Sequence, residues 1–285
     1  MEINTIGVIG AGHMGTGIAQ VFASAGFDVI LYDNNPDALA NAPKNIAASL
    51  ERQKTGDKDA TLGKLTLAEK LTDVARVDLI IEAVTEDEAV KGEIFKALVP
   101  HLAAHTILTS TTSAISITRL ASRTDRPERF MGMHFMKPVP VMKLVELIRG
   151  IATDEETFKT VEALCERLGK TASVSEDFPA FIVNRILMPM INEGIYAVYE
   201  GVGTVQNIDK SLKLGANHPL GPLELADFIG LDIVLANLNA LHDGLADNKY
   251  RPCPLLVKYV EAGWLGRKTG RGFYDYTVAP PVPTR

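Results

Sequence analysis

The chain has 285 residues, enough for about two domains of ordinary size. Its 29 basic and 35 acidic residues give a net charge of −6, and 46% of its residues are hydrophobic, a globular composition that excludes disordered and collagen-like chains. Lysine and arginine never occur in runs longer than two, and no stretch of about 18 apolar residues is present, so we expect neither a nucleic-acid partner nor a membrane span.

The two cysteines, Cys165 and Cys253, are far apart in the sequence and belong to no CxxC motif or cysteine–histidine cluster. This usage predicts neither a disulfide framework nor a bound metal. The N-terminus, Met-Glu-Ile-Asn, lacks the basic stretch and the apolar segment of a secretory signal. We therefore expect a cytoplasmic protein with reduced thiols.

Short β-branched apolar runs alternate with helical stretches over residues 4–150. The apolar runs are Ile6–Ile9, Phe27–Asp33, Asp78–Val84, Thr106–Thr109 and Arg129–His134, and the helical stretches are Met14–Ala25, Pro36–Gln53 and Glu86–Val99. Such alternation predicts an α/β domain, in which helices cover both faces of a doubly wound, mostly parallel sheet.

The pattern changes after Phe178. Residues 181–200 form a long helical run that is apolar on nearly all sides, which is typical of a helix buried between other helices. Further helices are predicted over residues 206–215, 222–244 and 254–262. The C-terminal third is therefore expected to be all-helical, with a frayed, proline-rich tail over residues 278–285.

A glycine-rich motif, Gly10-Ala-Gly12-His-Met-Gly15, separates the first predicted strand from the first helix. In this context Gly10 permits the tight turn, Gly12 the approach of a pyrophosphate, and Gly15 close helix packing. Asp33 ends the second strand, where a carboxylate binds the ribose hydroxyls and repels a 2′-phosphate, so NAD is favoured over NADP. A turn without a ligand and a helix cap at Asp33 are the structural alternatives.

Two further groups of side chains are predicted at the ligand-binding edge of the sheet. Glu82 and Glu86 flank the end of the third apolar run, where Glu86 either contacts the cofactor or stabilises a helix start. His134 ends a strand, and Glu146 interrupts a second apolar run, which a turn through Pro138–Pro140 would fold back beside the first. An imidazole beside a carboxylate can take the hydroxyl proton in an alcohol oxidation; a satisfied core histidine is the alternative.

Residues 132–150 read Gly-Met-His-Phe-Met-Lys-Pro-Val-Pro-Val-Met-Lys-Leu-Val-Glu-Leu-Ile-Arg-Gly. This segment resembles the signature of the L-3-hydroxyacyl-CoA dehydrogenases, in particular the short-chain bacterial 3-hydroxybutyryl-CoA dehydrogenases. Residues 179–185, 214–222 and 265–274 match further family motifs in the same order. The resemblance implies an NAD-binding Rossmann domain over residues 1–184 and a helical domain for substrate binding and dimerisation over residues 185–285.

The resemblance also implies roles for individual residues. His134 would be the general base and Glu146 the carboxylate that orients it, while Ser113 and Asn184 would donate hydrogen bonds to the acyl-CoA substrate. The residues implied to bind the cofactor are Gly10, Gly12, Gly15, Asp33, Glu86, Lys91, Ser113, Lys137 and Lys268. Those implied to lie near the CoA phosphates are Ser49, Arg52 and Lys54. Taken alone, Ser113 is also an ordinary loop hydroxyl, and Asn184 an ordinary polar residue at a helix start.

The sequence departs from the family pattern at Lys137 and at Thr111, where asparagine is usual, and Gly56 and Asp57 stand where lysines are common. The leading hypothesis is reversible, NAD-dependent oxidation of an (S)-3-hydroxyacyl-CoA with a short acyl chain to the 3-oxoacyl-CoA by a homodimer. The alternatives are a related dehydrogenase of a free hydroxy acid and a non-catalytic dimeric binding protein. The complete set of Ser113, His134, Glu146 and Asn184 argues against the last.

Overall fold

The computed structural model describes residues 2–54 and 56–284. The chain divides into two compact units, Met1–Phe181 and Ile182–Arg285. The boundary predicted from the sequence lies close to this division, between residues 184 and 185.

The first unit contains an eight-stranded sheet in the order β3-β2-β1-β4-β5-β6-β7-β8. The strands are β1 Thr5–Ile9, β2 Asp28–Tyr32, β3 Leu65–Leu67, β4 Leu79–Glu82, β5 Ile107–Ser110, β6 Phe130–Phe135, β7 Leu144–Arg149 and β8 Thr171–Glu176. Neighbours are parallel except β6 and β7, which pair antiparallel. The predicted α/β fold with a mostly parallel sheet is confirmed. The strand order reverses between β1 and β4, the point at which such sheets bind ligands.

In the described part of the first unit, six α-helices accompany this sheet: α1 His13–Ser24, α2 Pro36–Gln53, α3 Lys58–Gly63, α4 Glu88–Leu98, α5 Ile117–Ala121 and α6 Glu155–Arg167. Adjacent strand residues belong to separate hydrophobic clusters: Ile81 is in the cluster that contains Phe22 of α1, and Ile80 is in the cluster that contains Phe95 of α4. The strand residues point alternately to the two faces, and both faces are covered. The central strands β4 and β5 are consequently buried along their whole length.

The second unit is mainly helical, as predicted. Its helices are α7 Val183–Tyr199, α8 Val205–Gly215, α9 Pro222–Ile229, α10 Leu231–Leu245 and α11 Pro254–Glu261. Within the described residues, no single helix is long and apolar enough to cross a membrane; α9 and α10 reach that length and composition only together, across a 98° bend.

The end of the chain differs from the prediction of a purely helical domain with a frayed tail. Two short antiparallel strands, β9 Tyr274–Asp275 and β10 Val282–Pro283, form a ribbon. The Thr284 amide donates to the Phe273 carbonyl at 3.0 Å, and the Thr284 hydroxyl donates to the Gly272 carbonyl at 2.6 Å. These hydrogen bonds hold the described part of the tail in place. The two strands could not be predicted from the sequence, because two residues are too few to show a periodic pattern.

A buried carboxylate attaches this terminal ribbon to α9. Asp227, 1% exposed, accepts hydrogen bonds from the Phe273 and Tyr274 amides, each at 2.9 Å, and from the Tyr276 hydroxyl at 3.0 Å. Burial raises the pKa of Asp227 to about 6, although these three donors favour the charged form. A Cβ atom at Gly272 would lie 2.0 Å from the Asp227 carboxylate, so this close approach requires glycine.

Candidate active site

In the glycine-rich loop, two of the three glycines lie in close contact with the backbone, and the third faces open space. Gly10 has a φ of 106°, and a Cβ there would lie 2.5 Å from the Ala83 carbonyl oxygen. A Cβ at Gly15 would lie 1.7 Å from the Gly10 carbonyl oxygen. At Gly12 a Cβ would meet nothing within 4 Å. The loop therefore folds tightly over β1 and α1 while its backbone at Gly12 stays open to a ligand.

Asp33 follows β2 and joins two loops at the edge of the sheet. Its Oδ2 accepts a hydrogen bond from the Ala11 amide at 2.6 Å, and its Oδ1 accepts one from the Asn35 amide at 2.7 Å. A cavity of about 750 Å³ lies beside it. The polar and glycine residues of its lining include Gly10, Gly12, Asp33, Asn34, Thr85 and Glu93, and its apolar residues include Ile9, Val84 and Ile94. The open glycine, the carboxylate after β2 and the apolar cleft fit the adenosine diphosphate half of a dinucleotide.

Lys91 lies inside the protein rather than on the cavity surface. Its side chain is 1% exposed, and its Nζ lies 2.7 Å from Oε1 of the fully buried Glu82 and 3.5 Å from Oε2 of Glu86. The Ser110 hydroxyl donates to the other Glu82 oxygen at 2.6 Å. Glu82 is thus the main partner of Lys91. The only sign of this pair in the sequence is a carboxylate at the end of an apolar run, which needs a partner if it is buried.

Glu86 holds the loop that carries Ser113. Its Oε1 accepts hydrogen bonds from the Thr112 hydroxyl at 2.5 Å, the Ser113 amide at 2.7 Å and the Ala114 amide at 3.1 Å. Its side chain remains 44% exposed. Glu86 therefore fixes the serine loop while part of its carboxylate stays accessible to a ligand.

Ser113, His134 and Glu146 form a hydrogen-bonded chain. His134 of β6 lies directly opposite Glu146 of β7 in the antiparallel pairing, and His134 Nδ1 is 2.8 Å from Glu146 Oε2. The Ser113 Oγ is 3.1 Å from His134 Nε2. His134 is 5% exposed and Glu146 is fully buried. When the Glu146 carboxylate accepts from Nδ1–H, Nε2 keeps its lone pair and can accept a proton.

The turn between β6 and β7, residues 136–143, is held by Lys170, a residue for which the sequence pattern predicted no role. The Lys170 Nζ donates to the Val139 carbonyl at 2.6 Å and to the Met142 carbonyl at 2.7 Å. Burial lowers the pKa of Lys170. Lys137, in the same turn, is exposed. The turn between β6 and β7 is therefore held by the residue that immediately precedes β8, a contact that no local pattern predicts.

The residues expected near the CoA phosphates lie at the C-terminal end of α2. Arg52 and Lys54 are exposed there, and Ser49 is half-buried and accepts a hydrogen bond from Gln53 Nε2 at 2.9 Å. Lys54 ends the helix in the left-handed region with a φ of 53°. These three side chains thus occupy one end of one helix.

Asn184 and Lys268 lie in the second unit, each with a polar partner there. Asn184 Nδ2 is 3.4 Å from Asn237 Oδ1, near the start of α7. Lys268 Nζ is 2.6 Å from both carboxylate oxygens of Asp232.

Neither cysteine has the environment of a reactive thiol. Cys165 and Cys253 are both buried and free, and burial raises the pKa of Cys165 to about 12. Among residues 2–54 and 56–284, no group of three or more histidine, cysteine, aspartate or glutamate side chains is arranged to hold a metal ion.

Comparison with known proteins agrees with this geometry. Residues 5–178 match the model of the 3-hydroxyacyl-CoA dehydrogenase NAD-binding domain, and residues 181–276 match that of the 3-hydroxyacyl-CoA dehydrogenase C-terminal domain. A 3-hydroxybutyryl-CoA dehydrogenase of Bradyrhizobium diazoefficiens is 61% identical over 289 residues, covering 99% of both chains. One of Clostridioides difficile is 46% identical, covering 95% of this chain and 99% of that protein.

Solved structures give the same result. The crystal structure of (S)-3-hydroxybutyryl-CoA dehydrogenase from Ralstonia eutropha superposes with a TM-score of 0.93 at 45% identity, covering 96% of this chain and 99% of that one. The two domain models together span most of the chain, and the relatives match it almost from end to end. The chain belongs to the 3-hydroxyacyl-CoA dehydrogenase family and is an NAD-dependent oxidoreductase.

Proposed function

We propose that the protein catalyses the reversible oxidation of an (S)-3-hydroxyacyl-CoA to the 3-oxoacyl-CoA, with 3-hydroxybutyryl-CoA as its substrate. The hydrogen-bonded chain of Ser113, His134 and Glu146 carries this proposal, because it supplies a proton acceptor with a fixed orientation at the edge of the sheet. Relatives named as 3-hydroxybutyryl-CoA dehydrogenases, similar over nearly their whole length, support the short acyl chain.

His134 acts as the general base. Its Nε2 takes the proton of the substrate hydroxyl as the C3 hydride leaves, and Glu146 stabilises the imidazolium that results. Ser113, within 3.1 Å of Nε2, donates a hydrogen bond to the C3 oxygen. In the reverse direction His134 returns the proton to that oxygen.

NAD⁺ supplies the hydride acceptor when it is bound. The open backbone at Gly12 and the Asp33 carboxylate would hold its pyrophosphate and adenosine ribose, and Gly10 and Gly15 shape the turn. Glu86, Lys91, Lys137 and Lys268 are proposed as further cofactor residues on the family resemblance. On the same ground, Asn184 is proposed to contact the substrate, and Ser49, Arg52 and Lys54 the CoA phosphates.

We also propose that the protein is a homodimer formed through its second unit. That unit exposes large apolar side chains, among them Ile186, Val202, Leu214 and Phe228, which are 69%, 76%, 77% and 54% exposed. Light scattering at micromolar concentration should give twice the mass of the 285-residue chain. A monomer at that concentration would contradict the proposal.

The reaction is tested by following NADH oxidation with acetoacetyl-CoA and, separately, with free acetoacetate. We expect turnover with the thioester and little with the free acid. His134→Ala should lower kcat by about 10² to 10⁴-fold with NADH affinity unchanged, because proton transfer is lost and the pyrophosphate site is intact. His101→Ala, at a histidine outside the described site, is the control. Activity with acetoacetate alone, or more than half the kcat in His134→Ala, would disprove the proposal.

A further inference from the structure

The residues between β8 and the end of the first unit, 177–181, form what we call the connecting segment. Two of them have an uncommon backbone conformation: Ala180 and Phe181 have φ values of 62° and 54°, in the left-handed region that side-chain-bearing residues avoid. Ala180 is fully buried and Phe181 is 2% exposed. Such a conformation persists only where the surrounding contacts enforce it.

One end of the connecting segment is fastened to the loop that carries Ser113. The Asp177 carboxylate accepts three hydrogen bonds, from the Ser116 hydroxyl at 2.8 Å and from the Ile117 and Thr118 amides at 2.9 and 2.8 Å. These donors begin α5, only three residues after Ser113. Because the carboxylate satisfies otherwise unpaired helix amides, it fixes where this helix starts.

The other end contacts the imidazole. The centroid of the Phe181 ring is 5.7 Å from that of the His134 ring, at an interplanar angle of 59°. Phe181 also belongs to the hydrophobic cluster that includes Ile117 and Leu120 of α5. Asp177 therefore contacts the end of the loop that carries Ser113 and the start of α5, and Phe181 contacts the His134 ring.

We propose that the connecting segment positions the catalytic pair, Asp177 by capping α5 behind Ser113 and Phe181 by packing against His134. This inference rests on the proposed function, which makes Ser113 and His134 the reacting pair. Asp177 and Phe181 are positioning residues, since they act through that pair. The left-handed turn at Ala180 and Phe181 directs the ring toward the imidazole.

Asp177→Asn tests the first contact. An amide offers one accepting oxygen and two N–H donors, whereas all three present partners of Asp177 are donors. We expect kcat with acetoacetyl-CoA to fall at least about tenfold, with the NADH dissociation constant within about twofold of wild type. Ser116→Ala removes one of the three donors and the oxygen that accepts from the Arg119 amide, but it leaves the Ile117 and Thr118 amides on the carboxylate, so it should lower kcat less. Glu176→Gln, at the exposed neighbouring carboxylate, is the matched control.

Phe181→Leu tests the second contact without relying on turnover. It keeps an apolar side chain and removes the ring, while Phe178→Leu, at a phenylalanine of the same segment that is 57% exposed, is the matched control. The ring resonances of the His134 imidazole are followed by NMR at constant pH and are assigned from their absence in His134→Gln. Because the Phe181 ring lies 5.7 Å from the imidazole, centroid to centroid, we expect these resonances to shift in Phe181→Leu and to stay unchanged in Phe178→Leu.

The outcomes separate the two proposals. If wild type does not reduce acetoacetyl-CoA, the proposed function is wrong, and the His134 resonances still report on the Phe181 contact. If wild type is active, the inference is overturned when folded Asp177→Asn keeps more than half the wild-type kcat or when Phe181→Leu leaves the His134 resonances unchanged. Circular dichroism establishes that each variant is folded.

Discussion

His134 and Glu146 are direct partners in the antiparallel pairing of β6 with β7, and their side chains meet at 2.8 Å on the same face of the sheet. Since Glu146 is fully buried, a charge that develops on the imidazole is met by a carboxylate shielded from water. The pairing of two strands thus fixes the geometry of the proposed base.

The first prediction concerns the charge of Glu146. Glu146→Gln keeps an oxygen that can accept from Nδ1–H but removes the negative charge that stabilises the imidazolium. We expect kcat for oxidation to fall by about 10 to 100-fold, and the acid limb of its pH–rate profile to move to lower pH because the imidazolium is no longer stabilised. The same substitution at the exposed Glu156 serves as control. A wild-type pH profile in Glu146→Gln would mean that Glu146 only fills space.

The second prediction concerns Asp33, which combines a charge with a structural role in the loop. Asp33→Asn removes the charge and keeps an accepting oxygen, whereas Asp33→Ala also removes the hydrogen bonds from the Ala11 and Asn35 amides. Because the charge repels a 2′-phosphate, both variants should narrow the ratio of kcat/KM for NADH over NADPH, by about tenfold or more. Asp37→Asn, at an exposed residue of α2, should leave it unchanged. If only Asp33→Ala narrowed this ratio, the preference for NADH over NADPH would depend on the shape of the loop rather than on the charge.

The third prediction concerns Lys137, where the chain departs from its family. The side chain is exposed, and the resemblance puts this position near the nicotinamide end of the cofactor. A cation there disfavours NAD⁺ relative to neutral NADH, although solvent screens it. Lys137→Asn should therefore tighten NAD⁺ over NADH by about two to fivefold and raise the oxidative kcat/KM. Lys143→Asn changes an exposed lysine of the same turn; equal effects of both would contradict a specific role for Lys137.

The fourth prediction concerns the buried carboxylate of Asp227. Its pKa is raised by burial from 3.8 to about 6, so between about pH 4 and 6 the folded chain holds a proton that the unfolded chain releases. The contribution of Asp227 to the free energy of unfolding should therefore fall as the pH rises through this window, by about 3 kcal/mol at most, and level off above it.

Denaturant unfolding from pH 4 to pH 7 checks this dependence. Asp227→Asn is destabilised at every pH, because its amide cannot accept all three hydrogen bonds, but it should lack this part of the slope. Asp243→Asn, at an 81% exposed carboxylate, should keep it. An Asp227→Asn slope equal to that of wild type would show that the group does not titrate differently on folding.

The parts of the fold that carry a strong periodic pattern could be predicted from the sequence, and those that depend on distant partners could not. The alternating runs of the first unit predicted the central strands and α1, α2 and α4 to within a few residues. The edge strand β3 is only three residues long. The edge strand β8 mixes polar and apolar residues, and neither of its faces is fully buried. Such strands owe their conformation to their neighbours rather than to their own residues.

The candidate site divides in the same way. The pairing of His134 with Glu146 could be predicted because a carboxylate within an apolar run needs a nearby partner and the turn is short. The three donors of Glu86 come from a loop about 26 residues later in the chain, and the contact of Asp177 with α5 spans about 60 residues. No local spacing encodes contacts of this length, so only the folded chain shows that both carboxylates hold the serine loop.

The register between β6 and β7 limits how the turn of residues 136–143 can change during evolution. If β7 slid by one residue along β6, Glu146 would pass to the opposite face of the sheet, and an apolar neighbour, Val145 or Leu147, would lie against the imidazole. A slide of two residues would restore the face but move the carboxylate by almost 7 Å. Only one register of β6 and β7 therefore keeps the carboxylate against the imidazole. Substitutions, insertions and deletions in this turn are compatible with that contact only if the two strands keep the same partners.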